Sequence, residues 1–146
     1  MARPYRLGPA RRLVNVVFAY VSDLRHSAQW QEGLLEVKKL TEGPLGVGTR
    51  FAFVRTLLGR RLEASNEFVE YEPDAVVTFR IGGPMPGEAS YLFESTTEGT
   101  RLTSRISMQP RGLTRLAEPL IAASLRRQMK ANLPVLKDLL EKAAAS

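Results

Sequence analysis

The chain has no cysteine, a single histidine and a single tryptophan in its 146 residues. Without cysteine there is no disulfide, no thiolate nucleophile and no Cys-ligated zinc or iron–sulfur cluster. One histidine also argues against a His-based metal site, so no metal or other cofactor is expected. Long hydrophobic runs are missing too. None approaches the roughly 18–20 residues of a membrane span, so stable membrane insertion is not expected. The N-terminal "MARPYRLGPARRL" is basic but lacks the apolar stretch and small-residue cleavage site of a secretory signal. Together these absences lead us to expect a cytoplasmic protein.

What is present suits one ordinary domain over residues 1–146, with 44% hydrophobic and 25% charged residues. The net charge of +6 comes from basic pairs scattered along the chain: Arg11–Arg12, Lys38–Lys39, Arg60–Arg61 and Arg126–Arg127. A nucleic-acid reader gathers such residues on one face and interleaves exposed aromatics. No nucleic-acid partner is therefore expected, and the charge reads as solvation.

Residues 13–25, "LVNVVFAYVSDLR", carry apolar positions at the i, i+3, i+4, i+7 spacing of an amphipathic helix. A second helical turn follows at Ser27–Gln31 and stops before Gly33. From Leu34 the period changes to two. "LLEVKKL", "TRFAFVRTL", "RRLEASNEFVEY", "AVVTFRI", "EASYLFEST" and "TRLTSRISMQ" read as six consecutive strands. The short turns between them suit antiparallel neighbours. The segment Gly112–Ser146 returns to helical spacing, with a stripe running through Leu113, Ala117, Leu120 and Ile121, Leu125, Met129, Leu133, Leu136 and Leu140. Pro119 and Pro134 lie inside it, and each is expected to kink or restart the helix. This order makes an α+β plan: short helices, an antiparallel meander, then a long helix that a curved sheet can wrap.

"VFAYVSD" with Trp30 seven residues on, "GVGTRF" opening a strand, "EYEP" ending another, "GTRLT" opening the last strand and "NLPVLKDLLE" closing the helix occur in that order. In these motifs the chain resembles the START-like helix-grip (SRPBCC) superfamily, in particular its polyketide cyclase/dehydrase and lipid-transport branch. The match runs from about Val16 to Glu141. The resemblance implies a seven-stranded sheet gripping the C-terminal helix around a cavity for apolar small molecules. Pro4, Gly8 and Pro9 suit a central strand poorly, so the first strand should shrink to a short edge around Pro4–Leu7.

Two roles compete. One is a carrier or sensor that binds a lipid, polyketide or aromatic metabolite. The other is an aromatase/cyclase-type enzyme that folds a poly-β-keto chain for aldol closure and dehydration. No residue set in the sequence compels catalysis.

Asp23 and His26, at i and i+3, have the geometry of an oriented general base. No Ser or Thr nucleophile accompanies them, and a helix end also favours a cation. A structural role is the better reading, and the resemblance implies that Asp23 and Trp30 mark the turn between the two short helices. Trp30 is then a candidate for the cavity wall.

Strand alternation supplies the other candidates. Phe51, Phe53 and Arg55 share a face, as do Asn66 and Phe68, Phe79 and Ile81, Ala89, Tyr91 and Phe93, and Leu102, Ser104, Ile106 and Met108. If the apolar members point inward, so do the polar ones. The candidate ligand-binding set is Trp30, Phe53, Arg55, Asn66, Phe79, Tyr91, Phe93, Ser104 and Met108. Arg55 would need a buried partner, such as a ligand carboxylate, phenolate or enolate. Alternatively it reaches water at the sheet rim, or a bulge reverses the strand phase. The loop "GGPMPG" is a hairpin or a flexible cover over the cavity, and Met85, Met108 and Met129 are core filler or adaptable contacts.

Overall fold

The alternating segments fold as strands and the 3.6-period segments as helices in a computed structural model that describes residues 3–6, 13–57, 59–83, 86–108 and 118–145. In chain order the elements are β1 (Arg3–Arg6), α1 (Val14–Ser22), a 3-10 helix (Leu24–Gln29), β2 (Leu34–Lys39), β3 (Arg50–Leu57), β4 (Arg60–Glu72), β5 (Val76–Gly82), β6 (Gly87–Thr96), β7 (Gly99–Met108) and α2 (Glu118–Ala145). The strands form one antiparallel sheet in the order β1-β7-β6-β5-β4-β3-β2. Hairpins join β2 through β7, and β1 closes the opposite edge against β7. The proline-bearing first strand is thus a four-residue edge, where a missing N–H costs least. This is the helix-grip plan, a sheet curled around α2.

Inward positions follow the alternation. Phe51, Phe68, Val77, Phe79, Ala89, Tyr91, Phe93 and Leu102 are buried, and Leu133, Leu136 and Leu140 of α2 meet them in one core with Val17, Phe18 and Val21 of α1. Each large apolar side chain buried there contributes about 1.5–3 kcal/mol. Edge-on ring contacts join the layers: Phe18 lies 5.0 Å from Phe93 and 5.3 Å from Tyr71.

Two irregularities break strict alternation. In β4 the register shifts between Phe68 and Glu70, so Phe68 and Tyr71 both join the core. Glu70 instead pairs with Thr78, whose hydroxyl donates to its carboxylate at 2.9 Å. In β2 a shift between Leu34 and Glu36 leaves Leu35 exposed and returns Val37 to the inner face. One extra residue in a strand rotates everything beyond it by one face.

The helical expectations need two corrections. Residues 13–25 do not form one helix: Asp23 leaves helical geometry with ψ of 99° and starts the 3-10 helix. A carboxylate that caps one helix cannot continue another. Nor does Pro134 restart α2, which is helical from Glu118 to Ala145 with Pro134 inside. Pro119 occupies the first turn, where a missing N–H has no intrahelical partner to lose. Leu113, Ala117 and Met85 lie outside the described residues.

Candidate functional site

Between the curled sheet and α2 lies a pocket with about 80 Å³ of free space. A water molecule needs roughly 10–15 Å³ by such a measure, so the space admits several waters or a small organic group. The walls are mostly apolar. Phe53 of β3, Phe79 and Ile81 of β5, Ala89 of β6 and Ile106 of β7 come from the sheet, with Leu24 and Leu34 at the near end. Polar side chains are set among them: Arg55, Asn66, Tyr91 and Ser104 from the strands, Ser27 and Gln31 from the turn after α1, and Gln128 and Asn132 from α2.

A short polar chain crosses one side. Arg55 Nη2 donates to Gln31 Oε1 at 3.3 Å, and Gln31 Nε2 donates to the Tyr91 hydroxyl at 3.3 Å. Because Gln31 donates, the Tyr91 O–H hydrogen remains available to another acceptor. Burial pushes the Tyr91 pKa up to about 12, against the opposing influence of the Arg55 charge and the Gln31 hydrogen bond. At neutral pH it is a protonated donor. Burial also lowers the Arg55 pKa, while Tyr91 acts in the opposite sense. An Arg group nonetheless stays charged at any ordinary pH.

That charge has no carboxylate beside it. Among the described residues no Asp or Glu lines the pocket, and the ion pairs lie elsewhere, as at Arg25–Asp23 and Arg101–Glu94. Arg55 Nε is buried without a hydrogen-bond partner. The same holds for Asn66 Oδ1, Ser27 Oγ and Gln128 Oε1, all from pocket-lining residues. A buried polar atom left unpaired costs about 1–3 kcal/mol, and these four belong to residues that line one pocket.

Backbone contacts hold the polar turn in place. Asn132 Oδ1 accepts from the Glu32 N–H at 2.8 Å, tying the turn to α2. The Gly33 carbonyl accepts from the Thr56 N–H at 2.7 Å, tying it to β3. Gly33 has φ of +83°, and a Cβ there would stand 3.0 Å from the Thr56 carbonyl oxygen. Glycine is required on both counts.

Of the residues expected from sequence, Phe53, Arg55, Asn66, Phe79, Tyr91 and Ser104 surround this pocket. Trp30 and Phe93 are buried beside it and are not among its lining residues. Trp30 packs 6.3 Å from Tyr91, and Phe93 packs on Phe18. Met108 ends β7, and its side chain lies outside the described residues, as does that of Met129. Gln31, Gln128 and Asn132 escaped sequence reasoning. For the two α2 residues a signal existed: Gln128 and Asn132 stand four apart, in phase with Leu125 and Leu136 on the apolar stripe.

Asp23 and His26 each hydrogen-bond elsewhere. The Asp23 carboxylate is taken by Arg25, with Nε at 2.9 Å, Nη2 at 2.7 Å and the Arg25 N–H at 3.1 Å. Burial alone would raise the Asp23 pKa, but these hydrogen bonds and the Arg25 and His26 charges lower it on balance. The His26 ring stacks on Tyr20 with centroids 4.4 Å apart, and its Nδ1 lies 2.9 Å from the Tyr20 carbonyl oxygen. His26 does not line the pocket.

Solved structures of the same shape are numerous. TTHA0849 from Thermus thermophilus superposes with a TM-score of 0.80 at 16% identity, covering 100% of this chain and 99% of that one. The ZhuI aromatase/cyclase from Streptomyces sp. R1128 gives 0.77 at 13% identity, over 99% and 96% of the two chains. The di-domain aromatase/cyclase StfQ of the steffimycin pathway gives 0.78 at 15% identity, and the match covers 99% of this chain and 52% of that one. At these identities the likeness concerns the fold. No curated protein sequence matches the chain. The family profile that does match it spans residues 12–141, and the chain belongs to the polyketide cyclase/dehydrase and lipid transport family.

Proposed function

We propose that the protein binds one small, mostly apolar molecule in the pocket between the sheet and α2, as a carrier or sensor. The carrying observation is the coincidence of apolar walls with the unpartnered polar atoms of Arg55, Asn66, Ser27 and Gln128. Apolar walls supply affinity, and a few fixed polar groups orient the guest. Binding is favoured over chemistry because no carboxylate, histidine or lysine lines the pocket among the described residues. A general base must reach the proton it removes, and Tyr91, the one titratable hydroxyl lining the pocket among the described residues, is protonated at neutral pH.

A second reading, an aromatase/cyclase-type enzyme, draws on one specific arrangement. Arg55 and Tyr91, linked through Gln31, set a fixed cation beside a protonated phenol. That pair suits stabilising an enolate and returning a proton to it. The modest cavity weighs against a long poly-β-keto chain, since drug-sized ligands occupy roughly 300–1,000 Å³.

Trp30 is the chain's one tryptophan and touches Tyr91, so its emission reports on the pocket. Titration with benzyl alcohol and with benzoate should change that emission saturably for at least one of them. Ala89→Leu, which fills the pocket wall, should abolish the change. No saturable response to either probe contradicts the binding reading.

A further inference from the structure

The protein shows in its own fold how its arginines hold a carboxylate. Arg25 presents the Nε–Nη2 edge of its guanidinium to Asp23, with 2.9 Å to Oδ1 and 2.7 Å to Oδ2. Arg55, which lines the pocket, carries the same edge, with its Nε enclosed by protein. Among the described residues its Nη2 meets a neutral amide oxygen, Gln31 Oε1, at 3.3 Å, and its Nε has no hydrogen-bond partner. A two-point fork matches the geometry of a planar carboxylate and is roughly twice as strong as neutral hydrogen bonding. No acid of the described chain lines the pocket to fill the fork.

A second polar point lies along the sheet. Asn66 is only 9% exposed, and its Oδ1 has no partner. The β3–β4 register pairs Arg55 with Leu62, four residues before Asn66 on β4. At about 3.3 Å per residue the two backbones stand roughly 13 Å apart along the strand. The Arg55 side chain is long, and its guanidinium reaches the Gln31 amide oxygen. Phe53 lies between the two on β3, and Phe79, Ile81 and Ala89 line the same pocket, a wall that suits a flat apolar body.

We propose that the ligand is a small organic carboxylate, of single-ring size, whose carboxylate occupies the Nε–Nη2 fork of Arg55 and whose far end donates a hydroxyl or N–H to Asn66 Oδ1. This rests on the binding reading above and adds the ligand's charge, its size and the spacing of its two polar ends. Gln31 is the residue displaced: it yields Arg55 to the incoming anion while keeping its bond to Tyr91. A fatty acid or a multi-ring polyketide exceeds the free space, and a neutral apolar guest leaves both polar ends unmet.

The test is calorimetric titration of the intact chain at pH 7 with 4-hydroxybenzoate, benzoate and 4-hydroxybenzyl alcohol. The expected order is 4-hydroxybenzoate tightest, then benzoate, with the neutral alcohol at least about tenfold weaker than its acid. Arg55→Met should remove the advantage of the acid over the alcohol, and Asn66→Ala should remove the advantage of 4-hydroxybenzoate over benzoate. Arg55→Lys keeps the charge without the fork and should recover only part of the loss. The comparison of acid with alcohol on the unmodified protein stands even if a variant folds poorly. An alcohol that binds as tightly as its acid overturns the anion inference and leaves the binding reading intact. Failure of all three probes to bind overturns both.

Discussion

Gln31 stands between Arg55 and Tyr91, its amide oxygen 3.3 Å from the guanidinium and its amide nitrogen 3.3 Å from the phenol. A neutral side chain thus occupies the place where a buried arginine ordinarily has an acid. The arrangement keeps the cation oriented without cancelling its charge. It also leaves Arg55 with a neutral partner at the long end of hydrogen-bond range.

Removing that charge should therefore not harm the empty protein. Arg55→Met keeps the length of the side chain and deletes an uncompensated cation from apolar surroundings. Its unfolding free energy in urea should equal or exceed that of the parent. A loss of about 3–5 kcal/mol, the cost of breaking a true buried ion pair, would show that Arg55 has a structural partner.

Tyr91 should be visible in an alkaline titration followed by phenolate absorbance. One tyrosine should ionise near pH 12, and Tyr91→Phe should remove that component. The link to stability has a definite sign. Between the ordinary value of about 10 and the raised value, the unfolded chain has lost the proton and the folded chain still holds it. Stability from this group must then fall as pH rises across that interval. Stability that is flat there in the parent, or equally steep in Tyr91→Phe, contradicts the assignment.

Asp23 and His26, neighbours in the turn, should separate cleanly on mutation. Asp23→Ala removes the cap of the 3-10 helix and the Arg25 fork, and should cost about 0.5–2 kcal/mol. The folded Asp23 pKa is lowered, so its contribution is full above the ordinary carboxylate range and disappears as pH falls below it. His26→Ala should leave benzoate binding within a few-fold of the parent, because its ring stacks on Tyr20 away from the pocket. A loss of about 100-fold, the scale of a removed general base, would restore the dyad.

Gly33→Ala should destabilise by about 1–2 kcal/mol from the positive φ alone, with a further penalty from the Thr56 carbonyl. It should also weaken binding, because the same turn carries Gln31. A stability equal to the parent's in thermal unfolding contradicts the tight approach of this turn to β3.

The period of two made most of this inner face legible. Arg55 follows Phe51 and Phe53 by the same step that makes them core, and Asn66, Tyr91 and Ser104 follow their apolar neighbours likewise. Periodicity assigns a face but not a depth. Phe93 turns inward yet packs against Phe18, because the curl of the sheet decides which inward residues border free space; Trp30, which follows the 3-10 helix, packs against Tyr91. The bulge at Phe68–Glu70 was equally hidden: "EFVEY" offers two phases, and only the pairing with Thr78 and Val77 selects one. Gln31 joins the site through a contact with Tyr91 sixty residues away, for which no local pattern exists.

The central claim is the location of the ligand, and amide chemical-shift mapping by NMR with benzoate tests it most directly. The largest shifts should fall on Gln31, Arg55, Asn66, Phe79, Tyr91 and Asn132, saturating together with one dissociation constant. Another concavity lies at the start of α1 and the β6–β7 turn, lined by Leu13, Val14, Asn15, Thr96, Thr97 and Glu98. Shifts that cluster there, or that never saturate, would contradict the account.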